Sequence, residues 1–290
     1  MKTVTGHHRM TKEITKKTNH LIDFKNLEEN HISIQLSLDG FSFCIYNKAE
    51  QEIGAFAAYK FEIENITPFQ HLEMVEQLFE NEDLLKLKYQ SVSVSHFNNL
   101  VSQVPLPFFD KDHLAQYLKY TVKVLENDYI TYDQLQNSEI VNVYIPFVNI
   151  NNFLIDTYGA FEFKHSSTIL IEKLLSEFKN LDEDFCFINV SNNYFEIVIL
   201  KNKKVTLFNC FGFKTKEDFI YYILFTIEQL NLNPEELKLI LLGDIEEKSD
   251  LFNILYKYIR NVGFYKPAHF SSFLKETIPA HSNFTLLNQL

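Results

Sequence analysis

Glycine is scarce in this chain, which has 7 glycines in 290 residues. Loops that cradle phosphate groups depend on glycine, because a residue without a side chain lets backbone amides approach the ligand closely. The sequence contains neither GxGxxG nor a GxxxxGKS or GxxxxGKT loop, and it also lacks HExxH and GxSxG. These absences exclude the usual glycine-rich nucleotide loops, the zinc-protease helix and the nucleophile turn of many serine hydrolases.

Cysteine is also rare, with three residues and no CxxC pair. Cys44, Cys186 and Cys210 all lie in apolar, strand-like runs, which favours reduced, buried thiols over a disulfide framework. No apolar run approaches the roughly 20 residues that a membrane-spanning helix needs. The N-terminus lacks the apolar core of a signal peptide. We therefore predict a cytoplasmic protein without membrane insertion.

Positive charge is in the minority, with 27 Lys and Arg against 38 Asp and Glu and a net charge of −11. A general nucleic-acid binder needs basic surface to displace counterions, so this class is excluded. The basic residues near the N-terminus lie in a polar stretch, and we predict a disordered or extended tail over residues 1–30.

Histidine is present but scattered, with 10 residues. His96, His113 and His165 have no ligand-like spacing to cysteine or to paired carboxylates, so we predict no metal site. We interpret these three histidines as surface or helix-capping residues.

Apolar runs typical of strands are abundant and form two similar groups. The first group has strands Ile32–Leu38 and Phe41–Tyr46 around the pair Asp39-Gly40, followed by a third strand at Glu52–Glu62. The second group has strands Phe185–Val190 and Tyr194–Leu200 around Asn192-Asn193, followed by Lys204–Phe211. An Asp-Gly pair between apolar runs predicts a hairpin with a type I′ turn, in which both central residues have positive φ.

Helices and further strands follow each group. In the first half, helices are predicted from Thr67-Pro68 through Phe79, from Asp110 to Tyr120 and over Ser166–Phe178. In the second half, we predict a helix at Lys216–Leu230, a buried strand at Leu237–Leu242 and a helix at Lys248–Arg260. The fold class is therefore α/β, with two βββαβα-type lobes around a cleft. We assign residues 31–180 to the first lobe and residues 181–290 to the second lobe with a C-terminal extension.

This duplicated layout resembles the actin-like ATPase (ribonuclease H-like) fold over about His31 to Gly263. It is distantly similar to the PilM-like pilus-assembly branch, and more closely similar to an uncharacterised family from Bacteroidetes-type bacteria. The resemblance implies that the first hairpin of each lobe faces the phosphates of an ATP bound between the lobes. On this basis the cleft-lining positions are Ser37, Asp39, Gly40, Ser42, Asn189, Ser191, Asn192, Gly243 and Asp244.

The phosphate motifs of the superfamily are degraded at these positions. The first loop, Asp-x-Gly-Ser or Asp-x-Gly-Thr, aligns either with Ser37 in place of the acid or with Phe41 in place of the glycine. Asn189 replaces the acid of the second loop, and Asp244 replaces one glycine of the adenosine-side Gly-Gly pair. Phosphoryl transfer depends on positioning and on electrostatic stabilisation by metal, cationic groups and backbone amides, so these replacements count against catalysis.

Three hypotheses follow. The first is a non-catalytic scaffold or interaction protein, a pseudo-ATPase without cofactor, whose partner is another protein. The alternative is a nucleotide-binding ATPase or kinase with atypical phosphate loops that uses ATP and Mg²⁺ near Asp39, Ser42 and Asn189. The third is PilM-like docking of a short peptide on one lobe, by strand addition or in a groove. The oligomeric state is left open.

Overall fold

The computed structural model of the chain describes residues 11–19, 29–63 and 66–289. The strands are β1 (Thr11–Thr18), β2 (Asn30–Ser37), β3 (Gly40–Asn47), β4 (Glu52–Phe61), β5 (Ser91–Phe97), β6 (Val101–Pro105), β7 (Thr131–Gln134), β8 (Ile140–Tyr144), β9 (Glu162–His165), β10 (Phe185–Val190), β11 (Tyr194–Lys201), β12 (Lys204–Gly212), β13 (Lys238–Gly243) and β14 (Asn261–Phe264). The helices are α1 (Pro68–Asn81), α2 (Leu114–Leu118), α3 (Val148–Tyr158), α4 (Ser166–Phe178), α5 (Lys216–Gln229), α6 (Asp250–Tyr258) and α7 (Phe284–Leu287). None of the helices within these ranges is long and apolar enough to cross a membrane.

The first lobe is built on a six-stranded sheet in the order β1-β4-β3-β2-β5-β9. β2, β3 and β4 are antiparallel neighbours, whereas β2 and β5, and β5 and β9, are parallel pairs. α1 and α3 pack on one face of this sheet. α1 begins with a capping box in which Thr67 and Gln70 exchange side chain–backbone hydrogen bonds, and its apolar face is buried against the sheet.

The second lobe repeats this plan with a five-stranded sheet in the order β12-β11-β10-β13-β14. α5 and α6 cover one face, where Phe219, Ile223 and Leu255 are fully buried. α4 lies on the other face, packing Leu170 and Leu174 against Phe187. Each lobe is therefore a mixed sheet covered by helices, as the strand and helix patterns predict.

A small three-stranded sheet, β6-β8-β7, is inserted in the first lobe and has its own core with α2. The predicted helix from Asp110 to Tyr120 is shorter in the structure, where α2 spans Leu114–Leu118. The preceding residues form a 3₁₀ turn instead, because the Asp110 carboxylate accepts a hydrogen bond from the Asp112 backbone N–H.

The N-terminal residues correct the predicted tail. Thr11–Thr18 is not a separate tail but forms strand β1, which pairs antiparallel with β4 at the sheet edge. Its side chains also reach the first lobe, since Lys16 forms an ion pair with Glu82 at the end of α1. The rest of the predicted tail, residues 1–10 and 20–28, lies outside the described residues.

The first hairpin also differs from its predicted turn. Ser37 pairs with Gly40, so the turn residues are Leu38 and Asp39, and neither Asp39 nor Gly40 has positive φ. The predicted type I′ geometry is therefore wrong at this position. A β-carbon on Gly40 would lie 2.6 Å from the Tyr59 carbonyl oxygen, so the close approach of β4 explains the glycine.

Positive φ occurs in a different hairpin, the one that joins β11 to β12. Asn202 and Lys203 have φ values of 52° and 64° there. Both central residues of this two-residue turn thus have the left-handed conformation that a type I′ turn requires.

Residues 265–289, which we call the C-terminal segment, return from the second lobe to the first. The segment packs Leu274, Ile278 and Leu286 against the first-lobe sheet, on the face opposite to α1 and α3. The predicted boundary at residues 180 and 181 falls between α4 and β10, and α4 packs on the second-lobe sheet although the prediction assigned it to the first lobe. The extension that the prediction assigned to the second lobe contacts both lobes, because Phe284 joins the core of the second while Leu274, Ile278 and Leu286 join that of the first.

Candidate functional site

A cavity of about 710 Å³ lies between the two lobes. Its walls come from the β2–β3 hairpin, from β4, from the ends of β10 and β13, and from the C-terminal segment. All of the predicted cleft positions line it, namely Ser37, Asp39, Gly40, Ser42, Asn189, Ser191, Asn192, Gly243 and Asp244. Residues more than 200 positions apart in sequence thus meet in one site.

The first hairpin presents an acidic side chain to the cavity. The Ser37 hydroxyl donates a hydrogen bond to Asp39 Oδ1 at 2.8 Å and lies 3.3 Å from the Gly40 carbonyl oxygen. Ser37, which occupies the acid position in one alignment of the phosphate loop, therefore supports the turn. Phe41, which occupies the glycine position in the other alignment, is buried in the core against Phe79.

The second hairpin contains a buried carboxyl group that the sequence patterns did not single out. Asn189 Nδ2 donates a hydrogen bond to Glu196 Oε2 at 2.8 Å, and Glu196 is only 1% exposed. Burial raises the pKa of Glu196 to about 7, although the hydrogen bond from Asn189 opposes this shift. An acid inside the apolar run YFEIVIL is the signal that could have identified it.

Backbone amides at the cavity wall are already bonded within the protein. The N–H of Gly243 donates to the His281 carbonyl at 2.9 Å, and the N–H of Asp244 donates to the Val190 carbonyl at 2.8 Å. The N–H of Ile245 donates to the Gly243 carbonyl at 3.1 Å, and the Ser191 N–H donates to the Tyr194 carbonyl at 2.9 Å. None of these amides is left to cradle a phosphate group.

Gly243 has a structural requirement of its own. Its φ is +79°, and a β-carbon would lie 2.0 Å from the Val190 carbonyl oxygen. A glycine is needed here for backbone packing between β10 and the end of β13.

The charged residues that line the cavity are mostly acidic. The described lining residues include three acids, Asp39, Asp244 and Glu246, and one cation, Lys60. Asp244 is exposed, but partial desolvation between the lobes raises its pKa, the negative charge of Asp39 raises it further, and Lys60 lowers it. The balance of charge disfavours an anionic ligand.

Two of the three histidines singled out in the sequence are not at the surface. His96 and His165 are fully buried, and burial lowers the pKa of each to about 3. His165 caps α4, as expected for a capping residue, by accepting a hydrogen bond from the Ser167 N–H. His113 is exposed, with Nδ1 2.8 Å from Asp110 Oδ2. No group of three or more His, Cys, Asp or Glu side chains in the described part of the chain is arranged to hold a metal ion.

Solved structures with the same architecture include a protein of unknown function with an actin-like ATPase fold from Bacteroides thetaiotaomicron. It is 24% identical, the match covers 92% of this chain and 98% of that one, and the TM-score is 0.78. The PilM–PilN type IV pilus biogenesis complex matches at 13% identity, over 89% of this chain and 96% of that one, with a TM-score of 0.58. The predicted actin-like ATPase fold is thereby confirmed.

A comparison with curated proteins gives no match. A family model described as "protein of unknown function (DUF3822)" matches residues 18–262, which include both hairpins and the end of β13. The match spans most of the chain, and the chain therefore belongs to the DUF3822 family.

Proposed function

We propose that this chain is a non-catalytic interaction protein in which an actin-like fold retains a degenerate nucleotide cleft. The observation that carries the proposal is the state of the backbone amides at Ser191, Gly243, Asp244 and Ile245, which all donate to protein carbonyls. A phosphate cradle needs such amides free and directed at the ligand. We further propose that the protein acts in the cytoplasm of a bacterium.

Electrostatics supports the same conclusion. A triphosphate would enter a cavity whose described lining has three acids, Asp39, Asp244 and Glu246, and one cation, Lys60. Enzymes that transfer phosphoryl groups stabilise the developing charge with metal ions and cationic groups. Asn189, at the acid position of the second loop, instead donates to the buried Glu196.

Calorimetry with Mg-ATP and Mg-ADP tests this proposal. We expect no binding heat at nucleotide concentrations up to about 1 mM, a level that corresponds to roughly 4 kcal/mol of binding free energy. Binding in the micromolar range would contradict a degenerate site.

The alternative is a nucleotide-binding ATPase or kinase with atypical phosphate loops. The size of the cavity, about 710 Å³, favours it, because small-molecule sites commonly have such volumes. This alternative would use ATP with Mg²⁺ near Asp39, Ser42 and Asn189. If calorimetry detects a nucleotide, Ser37→Ala and Asn189→Ala should weaken its binding, and unchanged affinity would place the nucleotide elsewhere.

For the partner, we propose a protein segment that docks on the small β6-β8-β7 sheet. Within the described residues β6 and β7 each pair only with β8, so the outer edge of each has no strand partner and could take an added strand. Tyr132 on β7 is 41% exposed and Phe108 beside the sheet is 76% exposed. The PilM relative, solved as a complex with PilN, supports a protein partner for this fold.

A co-purification experiment with matched variants tests the docking surface. We expect Tyr132→Asp to abolish recovery of the partner, because it places a charge on the apolar side of the sheet edge. Tyr221→Asp is the control, since Tyr221 is 60% exposed but lies on α5 of the second lobe. Equal loss in both variants, or no partner from several extracts, would count against this surface.

A further inference from the structure

The C-terminal segment has an anchor in the second lobe, centred on His281. The His281 carbonyl accepts the Gly243 N–H at 2.9 Å, and its ring Nε2 lies 2.8 Å from the Ile245 carbonyl. The imidazole also packs against Phe264 at 4.5 Å between ring centroids. The segment is thus bonded to the end of β13 and to the residues that follow it.

The same segment has a second anchor in the first lobe. Leu286 is fully buried among Cys44, Ile53 and Phe56 of β3 and β4. Thr285 donates a hydrogen bond from its hydroxyl to Gln35 Oε1 on β2. Gln289 Nε2 donates to Ser95 Oγ on β5 at 2.8 Å.

On both sides of His281 the segment forms part of the cavity wall. The lining residues that it supplies are Thr277, Ile278, Pro279, Ser282, Asn283, Phe284 and Thr285. Its His281 carbonyl also takes the amide of Gly243, the glycine that remains at the adenosine-side position. The His281 carbonyl therefore accepts the Gly243 N–H, a backbone donor that could otherwise face a ligand.

We infer that the C-terminal segment is a strap that fixes the opening of the cleft by binding both lobes at once. Docking at one lobe positions the segment to dock at the other, because only a short stretch separates His281 from Thr285 and Leu286. Loss of the first-lobe anchor therefore loosens the wall of the second lobe, and the reverse. This inference concerns the coupling of the lobes and is independent of whether the cleft binds nucleotide.

Hydrogen–deuterium exchange of the full chain tests the strap. In Leu286→Ala, which alters only the first-lobe anchor, we expect the Gly243 amide to exchange at least about tenfold faster, since its protection depends on the docked segment. In His281→Ala, which alters the second-lobe anchor, we expect a similar acceleration at the amides of α7. The matched control is Glu276→Ala, an exposed position on the same segment, which should leave both rates unchanged.

Exchange at Ile188 in the middle of β10 reports global unfolding and therefore measures the loss of global stability in each variant. The acceleration at Gly243 supports the strap only where it exceeds the acceleration at Ile188. The strap is refuted if Leu286→Ala accelerates exchange only within residues 284–289 while Gly243 remains protected. Should Leu286→Ala fail to fold, Thr285→Val removes the hydrogen bond to Gln35 at similar volume, and the same comparison at Gly243 decides.

Discussion

At the scale of single residues, Gly243 is a position where the backbone tolerates no side chain. Its positive φ, and the distance of 2.0 Å that would separate an added β-carbon from the Val190 carbonyl oxygen, leave no space for a side chain. We expect Gly243→Ala to lower the free energy of unfolding by about 3 kcal/mol, because the backbone of β10 or β13 must shift. Urea denaturation followed by circular dichroism measures this loss.

Gly263 provides the matched control for that substitution. It lies in β14 of the same sheet, its φ is not positive, and an added β-carbon would meet no atom within 4 Å. Gly263→Ala should change the free energy of unfolding by less than about 0.5 kcal/mol. Equal losses at the two glycines would contradict a specific packing requirement at Gly243.

Glu196 makes the stability of the fold depend on pH. Its pKa is raised by burial from 4.5 to about 7, so the folded chain holds a proton that the unfolded chain releases over this range. The contribution of Glu196 to the free energy of unfolding is therefore fully present below pH 4.5. It falls by about 3 kcal/mol as the pH rises through 7. Glu196→Gln, which cannot ionise, should remove this part of the pH dependence.

The pH profile of unfolding, measured between about pH 4.5 and 8, checks the role of Glu196. Glu247→Gln is the control, because Glu247 is an exposed acid near the cavity, and its profile should match the wild type. A wild-type profile that is flat, or one that Glu196→Gln leaves unchanged, would contradict a protonated, buried Glu196.

At the scale of single elements, one partly buried ion pair joins β1 to the end of α1. Lys16 reaches Glu82, whose side chain is only 10% exposed. We expect Lys16→Ala to cost about 2 kcal/mol of stability, because a largely buried carboxylate loses its cation. Lys12→Ala on the same strand removes an exposed lysine and should cost less than about 0.5 kcal/mol.

Thermal and urea unfolding of these two lysine variants would separate the specific contact with Glu82 from the general positive charge of β1. A loss for Lys12→Ala as large as that for Lys16→Ala would show that general charge, and not the contact with Glu82, stabilises β1.

The elements that could be predicted are those whose apolar period is unambiguous. α4 and β10 have their predicted bounds, because Ile169, Leu170 and Leu174 repeat with helical spacing and FCFINV is buried throughout. β1 could not be predicted from TKEITKKT, since an edge strand without a buried residue has no apolar alternation. β6 and β7 are short edge strands stabilised by pairing with β8, a long-range effect that local patterns do not contain.

At the scale of the whole molecule, the two lobes share α4 and the C-terminal segment. α4 contacts β5 and β9 of the first lobe as well as β11 and β12 of the second. We therefore expect both lobes to unfold in one transition. Because the chain lacks tryptophan, Tyr158→Trp in the first lobe and Tyr222→Trp in the second each give a single fluorescent probe.

Urea titrations of the two tryptophan variants should give coincident midpoints, and circular dichroism of each variant should match its fluorescence. The unmodified chain, followed by circular dichroism alone, controls for effects of the substitutions themselves. Midpoints that differ between the probes would show that the lobes unfold independently, contrary to this expectation.

The candidate site was predictable in its position but not in its internal hydrogen bonds. Two similar hairpins imply a duplicated lobe, and duplicated lobes of this fold face each other, so the cleft-lining residues could be named from the sequence. The bond between Gly243 and His281 could not, because residues 265–289 carry little regular structure and their course depends on tertiary packing. Glu196, by contrast, could have been singled out as an acid within the apolar run YFEIVIL, although its bond to Asn189 could not.

The late return of the C-terminal segment has a consequence for biosynthesis. Cys44, Ile53 and Phe56 form an apolar surface that is covered by Leu274, Ile278 and Leu286. At ribosomal speeds the cover is synthesised roughly 10 to 40 s after that surface, which remains open to water in the meantime. A nascent first lobe therefore exposes apolar surface and is prone to aggregation. A ribosome stalled before Leu274 should present a chain that chaperones bind.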